Sequence, residues 1–485
     1  MTGRHRSEVV YTPRPGTIPT LGVPDLSGVR VVHLIGIGGA GMRGLAELLL
    51  ARGIRVSGSD LKGSRGLGEL QRLGATVFVG HDPEQLEASG RPDAVVISTA
   101  IPDVNPELVA AREMSIPVWA RAQVLAALMA GSRGLAVAGT HGKTTTTSML
   151  STILGRAGVD PTYVIGGDLN ESGSGARSGN GEWFLAEADE SDGSFLLLEP
   201  EIAVVTNIEA DHLDFYRDED EIRAAFAQFV MRAGQVVMCA DDPGALHSLS
   251  LAGRAALSYG VTPGSDAVLT VRDARAARAS GTLEIGGERV ELRLGVPGAH
   301  NLLNAAGAVL AATLAGVEPS DAVRALRSYR GVRRRFEFRG VAGGAEFFDD
   351  YAHHPTEIAA TLRAARNGHG RILAVFQPHR YSRTRALWRD LGQSLADADL
   401  VIVTEIYGAG EEPLPGVTGK LVVEALAEAE PAKRILYLPH RPDVVRFLAS
   451  EVRSGDLVLT LGAGDITTIP DEAIERVRSH SERAW

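Results

Sequence analysis

The sequence predicts an α/β protein of three domains, Rossmann-like at both ends and P-loop-type in the centre. Three observations carry that reading. Short β-branched runs alternate with longer helical stretches from Val29 onward, the β-α-β rhythm of a parallel sheet. Glycine-rich loops at Gly36 and Gly139 each follow an apolar run and open a helical stretch. At 485 residues the chain is too long for one compact core, and about three domains is the natural division.

The first domain starts with a buried strand at Val31–Ile35 and a helix over 39–52, followed by strands at Arg55-Val56, Thr76–Phe78 and Ala94–Ile97. A second unit opens with the strand Leu135–Val137, runs into a helix after Lys143, and continues with strands at Trp183–Leu185 and Ile202–Val205. From Ala267 to Val296 the pattern turns to alternation around Gly286-Gly287, which predicts hairpins inserted on this unit. A third segment carries strands at Arg371–Val375, Leu400–Val403 and Leu457–Leu459. The expected boundaries give a flexible leader (1–24), a first domain (25–132), a central domain (133–331) and a C-terminal domain (332–485).

Composition narrows the function. A formal net charge of −11 argues against a nucleic-acid partner. An anionic ligand must then be held by local groups. A single cysteine, Cys239, excludes an internal disulfide and any cysteine-rich metal site, and reads as a small buried hydrophobe. No apolar stretch approaches the length of a membrane span. Met1 to Pro24 has basic residues and prolines but no apolar centre, so it is not a signal peptide. The expected location is the cytoplasm.

The strongest chemical signal is Gly139-Thr140-His141-Gly142-Lys143-Thr144-Thr145-Thr146, between a strand and a helix. A helix N-terminus offers unpaired N–H groups to an anion. Glycines let the backbone approach phosphate oxygens, Lys143 neutralises charge at the β/γ positions, and the Thr144 hydroxyl is a magnesium ligand type. The usual P-loop has a glycine five positions before the Gly-Lys pair; here that position is Val137, so the loop is a shortened variant. Acidic residues follow at Glu187 to Asp192, and a second polar run extends from Thr206 to Asp214 with His212 inside it. Carboxylates at the ends of parallel strands beside a phosphate loop suit a metal, and His212 is read as a metal or transition-state group.

Gly36-Ile37-Gly38-Gly39-Ala40-Gly41 matches the dinucleotide fingerprint, and Asp60 ends the next strand. Alone it predicts a nicotinamide-dependent oxidoreductase. The fingerprint itself, however, says only that a diphosphate sits on that helix N-terminus. With an ATP-type loop in the same chain, a nucleotide-linked substrate is the more economical ligand. Asp60 either contacts a ribose or caps the next turn.

Near the C-terminus, Asp349 to Glu357 is dense in polar groups, and Phe376 to Thr384 follows an apolar strand. Arg380 and Arg383 suit a carboxylate clamp. Arg333 to Arg335 suit a phosphate, and each of these arginines also suits a solvated surface.

These runs, with His300-Asn301-Leu302-Leu303-Asn304-Ala305, span nearly the whole chain in one order, and in them the sequence resembles the Mur ligase family. The resemblance implies joining of L-alanine to the lactyl carboxylate of UDP-N-acetylmuramate with cleavage of ATP, through an acyl phosphate, as a cytoplasmic step of peptidoglycan synthesis. By the same resemblance Gly139, Thr140, His141, Gly142, Lys143, Thr144 and Thr145 bind ATP, together with Asn301 at the adenine and Arg335 and Asp350 from the third domain. Thr144 and Glu187 hold one Mg²⁺, and Glu187 and His212 a second; Lys143, Glu187 and His212 are the catalytic set. Gly36, Gly38, Gly39, Gly41, Met42, Asp60, His81 and Ser98 are expected around the UDP-sugar, and Tyr351, His379, Arg380 and Arg383 around the alanine. Several members use a carbamylated lysine shortly after the histidine; this chain has no lysine between Lys143 and Lys420, which fits the alanine-adding branch. Domain closure is expected to assemble the site. A ligase that recycles a peptide onto the same sugar nucleotide is the nearest alternative. The expected partners are small molecules, with no nucleic acid and no membrane, and the chain is expected as a monomer or homodimer.

Overall fold

A computed structural model describes residues 11–14, 17–213, 215–274, 278–366 and 370–483. The chain gathers into two compact units. The first holds the described residues up to Thr270, with Leu283–Val290 and Leu303–Leu326; the second holds Val271–Thr282, Glu291–Leu302 and the described residues from Arg327 on.

Two sheets are built mainly from residues of the first unit. One has strands β1 (Val31–Ile35), β2 (Arg55–Asp60), β3 (Thr76–Val79), β4 (Ala94–Ile97) and β5 (Val118–Ala120) in the order β3-β2-β1-β4-β5. All its pairs are parallel. The central strand β1 is buried along its whole length, as a strand covered on both faces by crossover helices must be. The order reverses at β1, and the helix Ala40–Ala51 starts there, the place where open α/β sheets bind ligands.

The second sheet has ten strands: β6 (Arg133–Ala138), β7 (Thr162–Val164), β8 (Ala176–Arg177), β9 (Trp183–Glu187), β10 (Ile202–Val205), β11 (Gln235–Cys239), β12 (Leu257–Gly260), β13 (Ala267–Asp273), β14 (Ala279–Ile285) and β15 (Glu288–Leu294). Their order is β15-β14-β13-β12-β11-β10-β6-β9-β7-β8. Strand β6, which feeds the Gly139 loop, lies between β10 and β9, parallel to both. The expected hairpin forms at the edge of this sheet. β13 pairs in parallel with β12, so the alternating segment extends the sheet at its edge, because β12 leaves an unpaired ladder that a further strand satisfies. Gly286 and Gly287 turn β14 into β15 with φ of +60° and +80°, the left-handed pair that a two-residue hairpin needs.

The second unit is built on β16 (Glu337–Ala342), β17 (Ala345–Asp350), β18 (Ile372–Phe376), β19 (Leu400–Val403), β20 (Arg434–Tyr437) and β21 (Leu457–Leu461), ordered β16-β17-β21-β18-β19-β20. Only β16 runs antiparallel. Apolar clusters cover both faces of this sheet, one with Ile358, Leu362 and Leu391, the other with Val444, Leu448 and Ile469.

One apolar cluster in the first unit runs from Val32 and Leu34 through Leu125 and Phe195 to Phe226 and Phe229. Tyr11 joins it. Of the segment read as a flexible leader, residues 1–10 and 15–16 lie outside the described residues; what is described is tied down. Tyr11 is 5% exposed, packs on Tyr216 with ring centroids 6.0 Å apart, and its carbonyl accepts from Gln228 Nε2. Gln123 Nε2 donates to the carbonyl of Gly22 at 2.8 Å. The buried Tyr11 ring anchors this end of the segment in the aromatic part of the core. Cys239 is buried as expected, and burial pushes its thiol up to about 12. Truncating the ring, Tyr11→Ala, is expected to destabilise the first unit by about 3 kcal/mol, measured by chemical denaturation; a change within error would mean that the segment is not part of the core.

Candidate active site

The strands of the first sheet converge on one cavity of about 460 Å³. Each contributes a lining residue from its carboxyl end or just beyond it: Gly36 after β1, Asp60 at the end of β2, His81 after β3, Ser98 after β4 and Arg121 after β5. Gly39, Gly41 and Met42 line it from the start of the helix. The opposite wall comes from the second sheet: Val164, Ile165 and Gly166 at the end of β7, and Glu187 and Asp189 at the end of β9.

The polar groups of this cavity are held from behind. Asp60 Oδ2 accepts from the backbone N–H of Gly38 at 3.0 Å, and Oδ1 from that of Lys62 at 3.3 Å. Asp60 thus caps the turn at Lys62 and braces the Gly38 loop, and it lines the cavity as well. Gly38 is not among the lining residues. A β-carbon there would sit 2.8 Å from Asp60 Oδ2, so its glycine serves the packing of that carboxylate. His81 Nδ1 lies 2.8 Å from Ser59 Oγ and 3.0 Å from Glu107 Oε2. Glu107 is fully buried and also meets His33 Nε2 at 3.4 Å. Burial works to raise the Glu107 carboxyl, but hydrogen bonds from His33 and Ser59 and the two imidazoles hold it below the usual range.

The Gly139 loop lies at the end of β6. Gly139 has φ +137°, and a β-carbon on it would fall 2.1 Å from Thr206 Oγ1; Gly142 has φ +82° and would meet Asn304 Oδ1 at 2.7 Å. No L side chain fits either place. The end of β10 fixes the loop: Thr206 Oγ1 donates to the His141 carbonyl at 2.6 Å, and the His141 N–H donates to Asn207 Oδ1 at 2.8 Å. The helix Lys143–Arg156 begins here with no side-chain cap, so its first N–H groups point toward an anion site. Lys143 Nζ donates to the Gly139 carbonyl at 2.6 Å and to both Glu190 oxygens at 2.9 and 2.8 Å. Burial works to lower the Lys143 ammonium, and the carboxylates of Glu190, Asp189 and Glu187 more than reverse it, so the side chain stays charged.

Thr144 Oγ1 donates to Glu187 Oε2 at 3.1 Å, and the Gly166 N–H donates to Glu187 Oε1 at 2.6 Å. A hydroxyl and a carboxylate side by side at a phosphate loop are the hard oxygen donors that magnesium prefers. His212 has φ +54°, and its Nε2 is 3.5 Å from Asp211 Oδ2. His141 Nε2 is 3.4 Å from Glu209 Oε2. Thr145 stands in the first turn of the same helix.

The second unit groups the residues expected around the amino acid. Tyr351 and His353 meet edge to face at 5.3 Å, His353 and His379 at 5.5 Å, and Arg383 Nη1 is 3.5 Å from His379 Nδ1. His379 stacks on Tyr407 at 5.8 Å and 12°. Burial, then His353 and the arginines 383, 380 and 334, press His379 down to about 3, so the imidazole is neutral. Arg380 caps the helix Tyr381–Ser394 with φ +65° and ψ 138°, a region nearly reserved for glycine; its N–H donates to the Tyr407 carbonyl at 2.8 Å. Asp350 Oδ2 accepts from the Phe336 N–H at 2.8 Å and Oδ1 from the Ala352 N–H at 2.7 Å. Burial pushes Asp350 up to about 6, against the opposing pull of Arg335 and those N–H groups. Arg335 Nη1 is 3.5 Å from Glu357 Oε1. Asn301 is buried, and its Nδ2 donates to the Pro297 carbonyl at 2.6 Å.

Sequence reasoning missed Arg121, Glu107 and Tyr407, whereas Asp189 lies in the acidic run Glu187 to Asp192 singled out after β9. Arg121 carried a usable signal, since a basic residue follows a parallel strand at the ligand edge of the sheet. Glu107 and Tyr407 carried none, for each meets its histidine only through the fold.

Comparison with known proteins agrees along the chain. The model of the Mur ligase family, catalytic domain, matches residues 31–133, that of the Mur ligase middle domain residues 137–312, and that of the Mur ligase, glutamate ligase domain residues 334–464. The UDP-N-acetylmuramate–L-alanine ligase of Kineococcus radiotolerans is 51% identical over 456 residues, covering 91% of this chain and 95% of that protein. The enzyme of the same name from Pelotomaculum thermopropionicum is 46% identical, covering 93% and 99%. Among solved structures, the UDP-N-acetylmuramate-alanine ligase of Thermotoga maritima superposes with a TM-score of 0.79 at 30% identity, over 93% of this chain and 100% of that one. A murein peptide ligase from Psychrobacter arcticus gives 0.70 at 26%, over 92% and 98%. With the three family models matched in order and these relatives covering nearly its whole length, the chain belongs to the Mur ligase family.

Proposed function

We propose that the chain joins L-alanine to the lactyl carboxylate of UDP-N-acetylmuramate, forming UDP-N-acetylmuramoyl-L-alanine, ADP and phosphate, in peptidoglycan synthesis. The observation that carries this reading is the continuity of one cavity. It runs from the glycine loop at Gly36 to Glu187, and Glu187 accepts from Thr144 of the Lys143 loop. A sugar nucleotide with its diphosphate on the first loop would direct its far end toward the second. A nicotinamide oxidoreductase has no use for that second loop. The names and high identity of the relatives support the amino acid and the sugar nucleotide.

A carboxylate does not condense with an amine at neutral pH without activation. The lactyl carboxylate oxygen attacks the γ-phosphorus of ATP, ADP leaves, and an acyl phosphate forms. The neutral amine of alanine then attacks the acyl carbon, inorganic phosphate leaves, and the amine proton passes to solvent. Lys143 offsets charge at the transferring phosphoryl group, and the N–H groups of the Gly139 loop cradle the phosphates. Thr144, Glu187 and His212 would hold Mg²⁺, which neutralises the phosphate charge. Gly36, Gly39, Gly41, Met42, Asp60, His81 and Ser98 surround the sugar nucleotide, with Gly38 bracing Asp60. Asn301, Arg335 and Asp350 serve ATP, and Tyr351, His379, Arg380 and Arg383 serve alanine. We assign domain limits near 132 and 331. A cytoplasmic enzyme, monomer or homodimer, is consistent with nucleotide substrates; among the described residues no helix is long and apolar enough to cross a membrane.

ADP release from Mg²⁺-ATP should require both UDP-N-acetylmuramate and L-alanine, with the coupled product seen by mass. Release with a peptide but with no free amino acid would move the chain to the recycling type of ligase. Lys143→Ala should abolish ADP release while sugar-nucleotide binding, followed by calorimetry, persists; loss of both would contradict the separation of the two loops. Arg380→Ala should mainly raise the alanine KM, and an unchanged KM would remove that residue from the amino-acid site. Asp350 also sets a pH dependence. Its pKa is raised on folding, so its contribution to stability is full below about 4 and is lost as pH rises through about 6. Between pH 4 and 7.5 the wild type should lose about 3 kcal/mol relative to Asp350→Asn, read from denaturation curves at each pH; parallel curves would refute the raised pKa.

A further inference from the structure

The charges on the cavity wall are unbalanced for the ligand it is proposed to take. Asp60, Glu187 and Asp189 bring three carboxylates, and among the lining residues Arg121 is the one lysine or arginine. A sugar nucleotide adds a diphosphate. The N-terminus of the helix Ala40–Ala51 offers backbone N–H groups and about half a positive charge, which does not offset a diphosphate placed beside Asp60.

Arg121 stands where the deficit falls. It is the first residue of the helix Arg121–Met129, directly after β5, at the ligand edge of the sheet. Its guanidinium lies over the first turn of the glycine-loop helix: a β-carbon on Gly41 would be 3.1 Å from Arg121 Nη1 and 3.3 Å from Cδ. Asp189 Oδ2 meets Nη2 at 3.4 Å, taking one of its five donors. The Arg121 side chain is 25% exposed, so it is fixed in place yet open to the cavity. A planar, permanently charged fork beside a helix N-terminus is the arrangement that recognises phosphate bidentately.

We propose that Arg121 grips the diphosphate of the sugar nucleotide against the first turn of the helix Ala40–Ala51, with Asp189 holding the guanidinium ready. The proposal rests on the reading of this cavity as the sugar-nucleotide site. Glycine at position 41 leaves room for the guanidinium to lie close over the helix's first turn, since a β-carbon there would crowd Arg121 Nη1 at 3.1 Å.

The test is calorimetric binding of UDP and of UDP-N-acetylmuramate to the full chain and to Arg121→Met and Arg121→Lys, with ATP binding as the control for folding. Arg121→Met should weaken both uridine nucleotides by roughly 10- to 100-fold while ATP binds as before. Arg121→Lys, which keeps the charge but not the fork, should recover part of the loss. UDP bound by Arg121→Met as tightly as by the wild type overturns the proposal; if UDP-N-acetylmuramate alone is weakened, the guanidinium reads the lactyl carboxylate instead. Failure of the wild type to bind either nucleotide would overturn the sugar-nucleotide reading itself, and the proposal with it.

Discussion

An ammonium group cannot leave water without a counter-charge, and the active region of the first unit is organised around that rule at Lys143. Its Nζ is held by Glu190, which is 2% exposed, and by the carbonyls of Gly139 and Thr140. A carboxylate that deep needs a cation as much as the cation needs it. Glu190 in turn is fixed by its own backbone, whose carbonyl accepts from Tyr216 at 2.7 Å. Tyr216 packs on Tyr11 and Phe215. The pair thus links the phosphate loop to the aromatic core.

The second constraint is topological. A parallel sheet sends all its strands toward one edge, so residues far apart in sequence meet there. Gly36, Asp60, His81, Ser98 and Arg121 lie on five different strand ends of one sheet and face one cavity. The carboxyl ends of β7 and β9 supply the facing wall. One surface therefore carries both a diphosphate-type loop and the acidic neighbours of a second phosphate loop, and acyl activation requires that proximity. A transfer between ATP and a carboxylate needs reacting atoms held within near-contact distance, and rigid strand ends hold better than free loops.

In the second unit Arg334, Phe336 and Arg380, like Ala409, adopt positive φ without glycine's freedom. Such conformations cost on the order of 1–3 kcal/mol each and persist only where other contacts overrule them. Here the contacts are present. Arg334 Nη2 donates to the carbonyls of Gly462 and Gly464 at 2.7 and 3.1 Å, its Nε lies 3.3 Å from Asp349 Oδ2, and its N–H donates to Glu337 at 2.9 Å. The Phe336 N–H is taken by Asp350 and the Arg380 N–H by Tyr407. The strain sits beside Tyr351 and His379, where the alanine site is proposed.

The sequence by itself determined the fold class, the two phosphate-type loops and the family, because these are written in local patterns: β-branched runs, glycines before helices, and polar clusters after strands. It also held the lysine gap from Lys143 to Lys420. Only the tertiary structure decided how those pieces act. The packing of Tyr11 depends on a ring more than two hundred residues away, so no local pattern marks it as core. Arg121 reads as an ordinary helix-start residue until five strand ends are laid side by side. Glu107 reaches His33 and His81 only through parallel pairing, and Asp60 shows its bracing of Gly38 only once β2 lies beside β1. Local propensity and spacing are properties of the chain, whereas the environment of a charge is set by whatever the fold brings within a few ångströms of it.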